Sequence, residues 1–300
     1  MSIDKVLGQK TAYPETYDPE ILVREARIGN RIAVGLDNYA LPFKGVDVWN
    51  AYEVSGLTTR GVPVVGVCKI VYPCESEYIV ESKSLKLYFN SFNMYDCGSD
   101  PWSVRKFIQE TAAADLSELL RTEVTVTFFP SYTPIAIRPI HMETSNPDNS
   151  NDRYHTLEEM YIPDSAKVYK EDPTLLVPVS GPVGQTKRYH SALLKSNCKV
   201  TEQPDWGDIY IRLSGGEQPT PESLLQYIIS FRDECHFHEE ICETIYQRLF
   251  TLLDPMMIEV TCLYARRGGI DINPTRFSCP TIAPDGLMNP LMLHTKTLKQ

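Results

Sequence analysis

An α+β fold carrying an internal repeat is what this sequence predicts, on three observations. The order strand, strand, helical region, strand occurs twice along the chain. A polar stretch from Glu143 to Arg153 marks a loop in the long connection between the two occurrences. The second helical region carries one apolar stripe interrupted near its middle. The two copies share few identical residues, so the repeat rests on the order of elements.

Residues 1 to about 60 read as mixed and turn-rich. Val64 to Tyr72 and Lys83 to Phe92 read as two strands separated by Pro73-Cys74-Glu75-Ser76-Glu77. Pro101 starts a helical stretch in which Val104, Phe107, Ile108, Ala112, Leu116, Leu119 and Leu120 recur at helical spacing, and Glu123 to Phe129 closes the unit as a strand. In the second unit, Cys198-Lys199-Val200-Thr201 is a short strand, Gln203-Pro204 breaks the chain, and Asp208 to Leu213 alternates with period two. These two strands are expected to pair. Thr220 caps a helical region that has Pro221 in its first turn and runs to about Leu253. Leu224, Ile228, Phe231, Cys235, His238, Cys242, Ile245, Leu249 and Leu252 form its stripe, but Asp233 to Phe237 is a poor helical interior. Two helices joined there are expected, the second opened by His238 and Glu239, where free N–H groups favour an anionic side chain. Met257 to Ala265 is a strand, followed by the turn Arg266-Arg267-Gly268-Gly269.

With 300 residues, 42% of them hydrophobic, the chain can bury one large core or two ordinary ones. Its opening, Met1-Ser2-Ile3-Asp4-Lys5-Val6, has neither the basic nor the apolar part of a secretory signal, and no apolar run is long enough for a membrane span. Eight cysteines without framework spacing are expected as reduced thiols, which makes the expected location cytoplasmic. A net charge of −10 argues against a nucleic-acid partner.

Chemistry concentrates at the second break. Proline at 204 points Asp205 back along the strand of Cys198, so a thiol and a carboxyl share one pocket, a nucleophile beside a proton carrier. Lys199 lowers the thiol pKa if its ammonium turns inward; otherwise Cys198 is a half-buried strand cysteine beside a solvated lysine. His238 and Cys242 lie four apart, yet no spaced pair elsewhere completes a tetrahedral zinc set, and no metal site is expected. Glu81 and Glu239 follow apolar or aromatic neighbours, where a carboxylate either caps a backbone or meets paired N–H donors such as those of a guanine-like base. Lys83, Lys86 and Arg266-Arg267 could hold phosphates, although surface lysines on strands commonly serve only solubility. No G-x-G-x-x-G or P-loop pattern is present.

Four segments together carry a family resemblance. They are Glu81 to Asn93, Leu194 to Cys198 with Gln203-Pro204-Asp205-Trp206-Gly207, Phe237-His238-Glu239, and Tyr264 to Pro274. In this order they resemble the 7-cyano-7-deazaguanine reductases, NADPH-dependent nitrile reductases of queuosine biosynthesis, in their long two-module form. The resemblance implies tandem tunnelling folds, each an antiparallel sheet with paired helices on one face: a module over 1–140, a connection over 141–190 and a module with the catalytic cysteine over 191–300. It implies a homodimer, a small-molecule substrate and a covalent thioimide on Cys198, with Asp205 and His238 handling protons. Val80, Glu81, Ser82, His238 and Glu239 then contact substrate, and Ser82, Lys83, Arg267 and Gly268 contact NADPH. One departure is a stretch between Cys198 and His238 about one residue longer than the family's, assigned to a loop. Two other readings are a zinc-dependent cyclohydrolase of the same fold and a non-catalytic purine- or pterin-binding subunit.

Overall fold

A computed structural model describes residues 14, 16–132, 134–140, 153–161 and 166–300; the opening hexapeptide and nearly all of the polar stretch 143–153 lie outside these. The first unit begins earlier than its sequence suggests. Strand β1 (Lys44–Thr58) is the longest in the molecule and pairs antiparallel with β2 (Pro63–Pro73), Trp49 opposite Ile70. The turn-rich reading of residues 1–60 is thereby corrected. Both faces of β1 are covered, so polar Asp47 and Asn50 sit fully buried between Val46, Val48, Trp49 and Ala51. A strand buried on both sides shows no polar alternation to betray it.

The segment 83–92, expected as a strand, is helix α1 (Ser82–Asn90). Leu85, Leu87 and Phe89 alternate with period two, but Leu85, Tyr88, Phe89 and Phe92 also follow helical spacing and enter the core. Glu81 decides between the two patterns: its carboxylate accepts the N–H groups of Lys83 and Ser84 at 2.9 and 2.7 Å, and the Ser84 hydroxyl donates back to the Glu81 carbonyl at 2.8 Å. Helix α2 (Pro101–Leu120) starts on Asp100, which accepts from Trp102 and Ser103, and buries Val104, Ile108, Ala112, Leu116 and Leu120. Strand β3 (Thr125–Pro130) pairs antiparallel with β2.

The second unit keeps its expected order, but the strand expected over Cys198 to Thr201 ends at Cys198, with 199–201 turning toward Gln203-Pro204, and an unexpected strand precedes it. Strand β4 (Thr186–Ser191) and β5 (Lys195–Cys198) both pair antiparallel with β6 (Pro204–Ser214), and Ser196 stands opposite Asp205. Helix α3 (Pro221–Ser230) opens on Thr220, whose hydroxyl accepts the Ser223 N–H. The join at 231–237 separates it from α4 (His238–Leu253) and holds β7 (Cys235–His236), parallel to β5. Strands β8 (Met257–Tyr264) and β9 (Ile270–Phe277) complete the unit around the turn at 266–269.

A mixed α+β molecule results, its main sheet dominated by antiparallel pairs. The strand order is β7, β5, β6, β8, β9, β1, β2, β3, and the two units meet where β9 pairs with β1, Ile272 opposite Trp49. Cross-strand partners share a face, and Val260 opposite Arg276 together with Ile272 opposite Trp49 put both helix pairs on one side. One apolar cluster joins α3, α4, β6 and β8; another joins α1, α2, β1 and β2. Between them lies a buried ionic layer: Arg276 reaches Asp47 at 2.8 Å and Glu243 at 2.9 Å, Arg31 reaches Glu243 at 2.8 Å, and Arg27 pairs with Asp47.

Candidate active site

The join of the two units forms a cleft. A cavity is lined from the first unit by Trp49, Val80, Glu81, Ser82 and Lys86, and from the second by Cys198, Asp205, His236, Phe237, His238, Glu239, Ala265, Arg267, Ile270 and Ile272. Residues more than a hundred positions apart converge because β1 and β9 are neighbours while the starts of α1 and α4 face the same gap. A second cavity lies beside it, sharing Lys86 and Ile270, and is lined also by Glu53, Lys83, Gly268 and Gly269.

Cys198 ends β5, half-buried, with its N–H donated to the Gln203 carbonyl at 2.8 Å across the turn. Glu202 takes a left-handed conformation, φ 55°, to close that turn. Asp205, on the paired strand, is almost fully buried and ion-pairs with Arg267. Its Oδ1 lies 3.7 Å from Nε2 of His238. Burial pushes the Asp205 carboxyl up, but His238 and Arg267 outweigh it and hold the group below the ordinary carboxylate range. An ionised Asp205 is a proton acceptor in the cavity of the thiol. The His238 ring stands edge-on to Tyr264, 4.0 Å between centroids.

Lys199 does not turn toward the thiol. Its ammonium pairs with Glu240 at 2.9 Å and lies 5.2 Å from the Phe237 ring. Glu240 also accepts the Phe237 N–H at 3.1 Å, so Lys199 secures the start of α4. Lys86 does face the site, as does Arg267: burial, then Arg267, lower the Lys86 pKa, while Glu81, Asp205 and Cys198 pull the other way.

The two candidate base-binding carboxylates differ. Glu81 spends an oxygen on each of two backbone N–H groups, so it caps α1 while its side chain borders the cavity. Glu239 is fully buried with Oε1 lacking a partner among the described residues. Burial first, and the like charge of Asp47 next, push its pKa up to about 8. A buried carboxylate oxygen without a donor, on a cavity wall, fits a ligand that brings N–H groups.

Val80 and Ser82 border the first cavity with Glu81, whereas Lys83 and Gly268 border the second. Arg267 reaches from the turn into the first cavity. Gly268 and Gly269 have φ 54° and 77°, and a Cβ on Gly269 would come 2.6 Å from the Glu53 carboxyl carbon. Trp49 was not among the expected site residues, because β1 was not expected as a strand, and its buried Nε1 has no partner among the described residues. Tyr264, expected as a strand residue and as the start of the resemblance segment 264–274, was not expected against His238. Among the described residues, no group of three or more His, Cys, Asp or Glu side chains is arranged to hold a metal ion.

Comparison with known proteins gives a consistent set of matches. The family model described as nitrile reductase, 7-cyano-7-deazaguanine-reductase N-term, matches residues 13–128, and the model described as QueF-like protein matches residues 204–281. The NADPH-dependent 7-cyano-7-deazaguanine reductase of Acidovorax ebreus is 38% identical over 282 residues, covering 93% of this chain and 94% of that one. Its namesake in Rickettsia bellii is 38% identical over 274 residues, 91% and 92% of the two chains, and that of Xanthomonas campestris 39% over 275, 92% and 93%. A crystal structure titled as the archaeosine synthase QueF-Like in the apo form overlaps 34% of this chain and 91% of that one at 16% identity with a TM-score of 0.27.

Proposed function

The chain belongs to the 7-cyano-7-deazaguanine reductase family, and from that premise we propose that it reduces the nitrile of 7-cyano-7-deazaguanine to an aminomethyl group at the expense of two NADPH, in the service of queuosine biosynthesis. The observation that carries this is the single cavity holding Cys198, Asp205, His238 and Glu239.

A nitrile carbon is a weak electrophile. Asp205, ionised beside Arg267 and His238, takes the Cys198 proton, and the thiolate adds to the nitrile carbon. One C–N π bond is replaced by a C–S bond, and the nitrogen receives the proton from Asp205, giving a neutral thioimide. Two hydrides supplied in turn by bound NADPH complete the four-electron change. After the first, C–S cleavage frees the thiolate and leaves an imine; His238 and Asp205, which line the same cavity, deliver the protons that each nitrogen stage requires. Glu239 receives the N–H donors of the base edge, and Val80, Glu81, Ser82 and His238 border the same ligand.

The second cavity suits the dinucleotide. Lys83 and Lys86 give it cationic walls, and the glycine turn lets backbone approach closely where a side chain would collide with Glu53. Ser82, Lys83, Arg267 and Gly268 are the assigned cofactor contacts. The β9–β1 junction supports reading the molecule as tandem tunnelling folds, 1–140 and 191–300 with a connection at 141–190. A cytoplasmic homodimer without nucleic-acid partners is part of the same proposal and rests on the family resemblance and the net charge of −10.

Intact mass spectrometry tests the covalent route. Wild type incubated with 7-cyano-7-deazaguanine and no NADPH is expected to gain the mass of one nitrile, and Cys198→Ala to gain none while keeping its fold. A folded wild type with no gain overturns the route.

A further inference from the structure

Residues 285–300 pass behind the cleft, on the sheet face away from the helices, where Leu287 packs on Val48 and Leu263. Their polar contacts fall on the strands that build the site. Lys69 of β2 gives its ammonium to the carbonyls of Leu287, Asn289 and Met292 at 2.6, 2.7 and 2.9 Å. Lys299 donates to the Gly207 carbonyl at 2.8 Å, two residues past Asp205. Gln300 donates to the Tyr264 carbonyl at 3.3 Å and to Asn273 at 2.6 Å.

The contact with consequence for the cofactor side is Lys296, 2.8 Å from Oδ2 of the fully buried Asp271. Asp271 holds Asn50 at 2.7 Å and Asn273 at 2.6 Å through Oδ1, and the Tyr52 hydroxyl at 2.5 Å through Oδ2. Tyr52 lies where the β1–β2 register slips between Ala51 and Val54. Its N–H donates to the Gly269 carbonyl at 2.8 Å, and its ring lies 3.6 Å from the guanidinium carbon of Arg266. The path Lys296, Asp271, Tyr52 therefore grips both ends of the turn 266–269. That turn has two left-handed glycines, and its middle is held by the Arg267–Ile270 backbone pair and the Arg267–Asp205 ion pair, which leaves its two ends to Tyr52.

We propose that Lys296 is a positioning residue for NADPH: through Asp271 and Tyr52 it holds the Arg266–Gly269 turn in the shape that receives the dinucleotide. The inference rests on reading that turn as cofactor-binding. Removing the ammonium leaves Asp271 buried with neutral donors only, which loosens the Tyr52 hydroxyl and the ring beneath Arg266.

Calorimetric titration with NADPH, without substrate, tests it on Lys296→Met, Lys296→Arg and Tyr52→Phe, alongside the intact-mass assay with 7-cyano-7-deazaguanine. Lys296→Met is expected to weaken NADPH binding on the order of tenfold, the scale of one charged hydrogen bond. Lys296→Arg recovers most of the loss, and all three variants keep wild-type adduct formation. Tyr52→Phe weakens binding in the same direction and carries the test if Lys296→Met does not fold. Equal NADPH affinity in wild type and the Met or Phe variant overturns the proposal, as does a parallel loss of adduct or an Arg variant no better than Met. A wild type that forms no adduct, yet shows the NADPH loss in Lys296→Met, sinks the nitrile reading and leaves the positioning role standing.

Discussion

At the scale of single residues, the site depends on two carboxylates held in opposite charge states by their surroundings. Asp205 is kept ionised by His238 and Arg267 against the effect of burial, while Glu239, with burial and Asp47 acting together, is neutral below about pH 8. N–H donors of a bound base favour the carboxylate form of Glu239, so binding below that pH must expel a proton. Affinity for 7-cyano-7-deazaguanine is therefore expected to rise with pH, by up to about tenfold per unit, and to level off near pH 8. Glu239→Gln should bind more weakly and lose that slope; an unchanged slope in the Gln variant would assign it to another group. The thiol and Asp205 were legible from the sequence because a proline break between paired strands forces their neighbourhood. Trp49, and the diversion of Lys199 to Glu240, were not, since each depends on where a second segment of chain lies.

At the scale of elements, α1 shows how a cap outvotes a side-chain pattern. Leu85, Leu87 and Phe89 fit a strand, but two capping bonds to Glu81 and the burial of Leu85, Tyr88 and Phe89 make a helix. Glu81→Ala is expected to cost about 1 kcal/mol, the usual worth of an N-cap, and to speed amide exchange at Lys83 and Ser84 specifically. Uniform exchange across α1 would refute that account. The turn between β8 and β9 makes a second case. Gly269, at φ 77° with Glu53 2.6 Å from the place of a Cβ, should not accept Ala without about 1–2 kcal/mol of strain. Gly269→Ala is expected to lower thermal stability and NADPH affinity together, while a variant with wild-type NADPH affinity would remove the turn from the cofactor site.

At the scale of the whole molecule, the buried ionic layer joins the N-terminal segment, β1, β9 and α4. Glu243 meets Arg31 and Arg276 there; burial opposes its charge, but Arg276 and Arg31 outweigh it and bring its pKa from 4.5 to about 2. A carboxyl whose folded pKa is depressed contributes stability above its unfolded value and loses that contribution as pH falls through the folded one. The window of loss is then pH 4.5 down to about 2. Glu243→Gln should cost roughly 3–5 kcal/mol at neutral pH, because it strands buried arginines. Its stability should also fall less steeply than that of wild type over the acid window. Chemical denaturation at pH 7 and pH 3 measures both, and equal acid slopes would exclude Glu243 as the source.

What the sequence determined by itself is local. Helix starts at Pro101 and Thr220, the interruption at 233–237, the pairing across Gln203-Pro204 and the glycine turn at 266–269 each follow from backbone constraints of a few neighbouring residues. Only the tertiary structure decided that β1 is a strand, that 82–90 is a helix, and that the cleft lies where β9 meets β1. Those outcomes depend on burial from both sides and on charge compensation between segments more than two hundred residues apart, such as Arg31 with Glu243 and Asp47 with Arg276. Such terms arise only when distant parts of the chain share one interior.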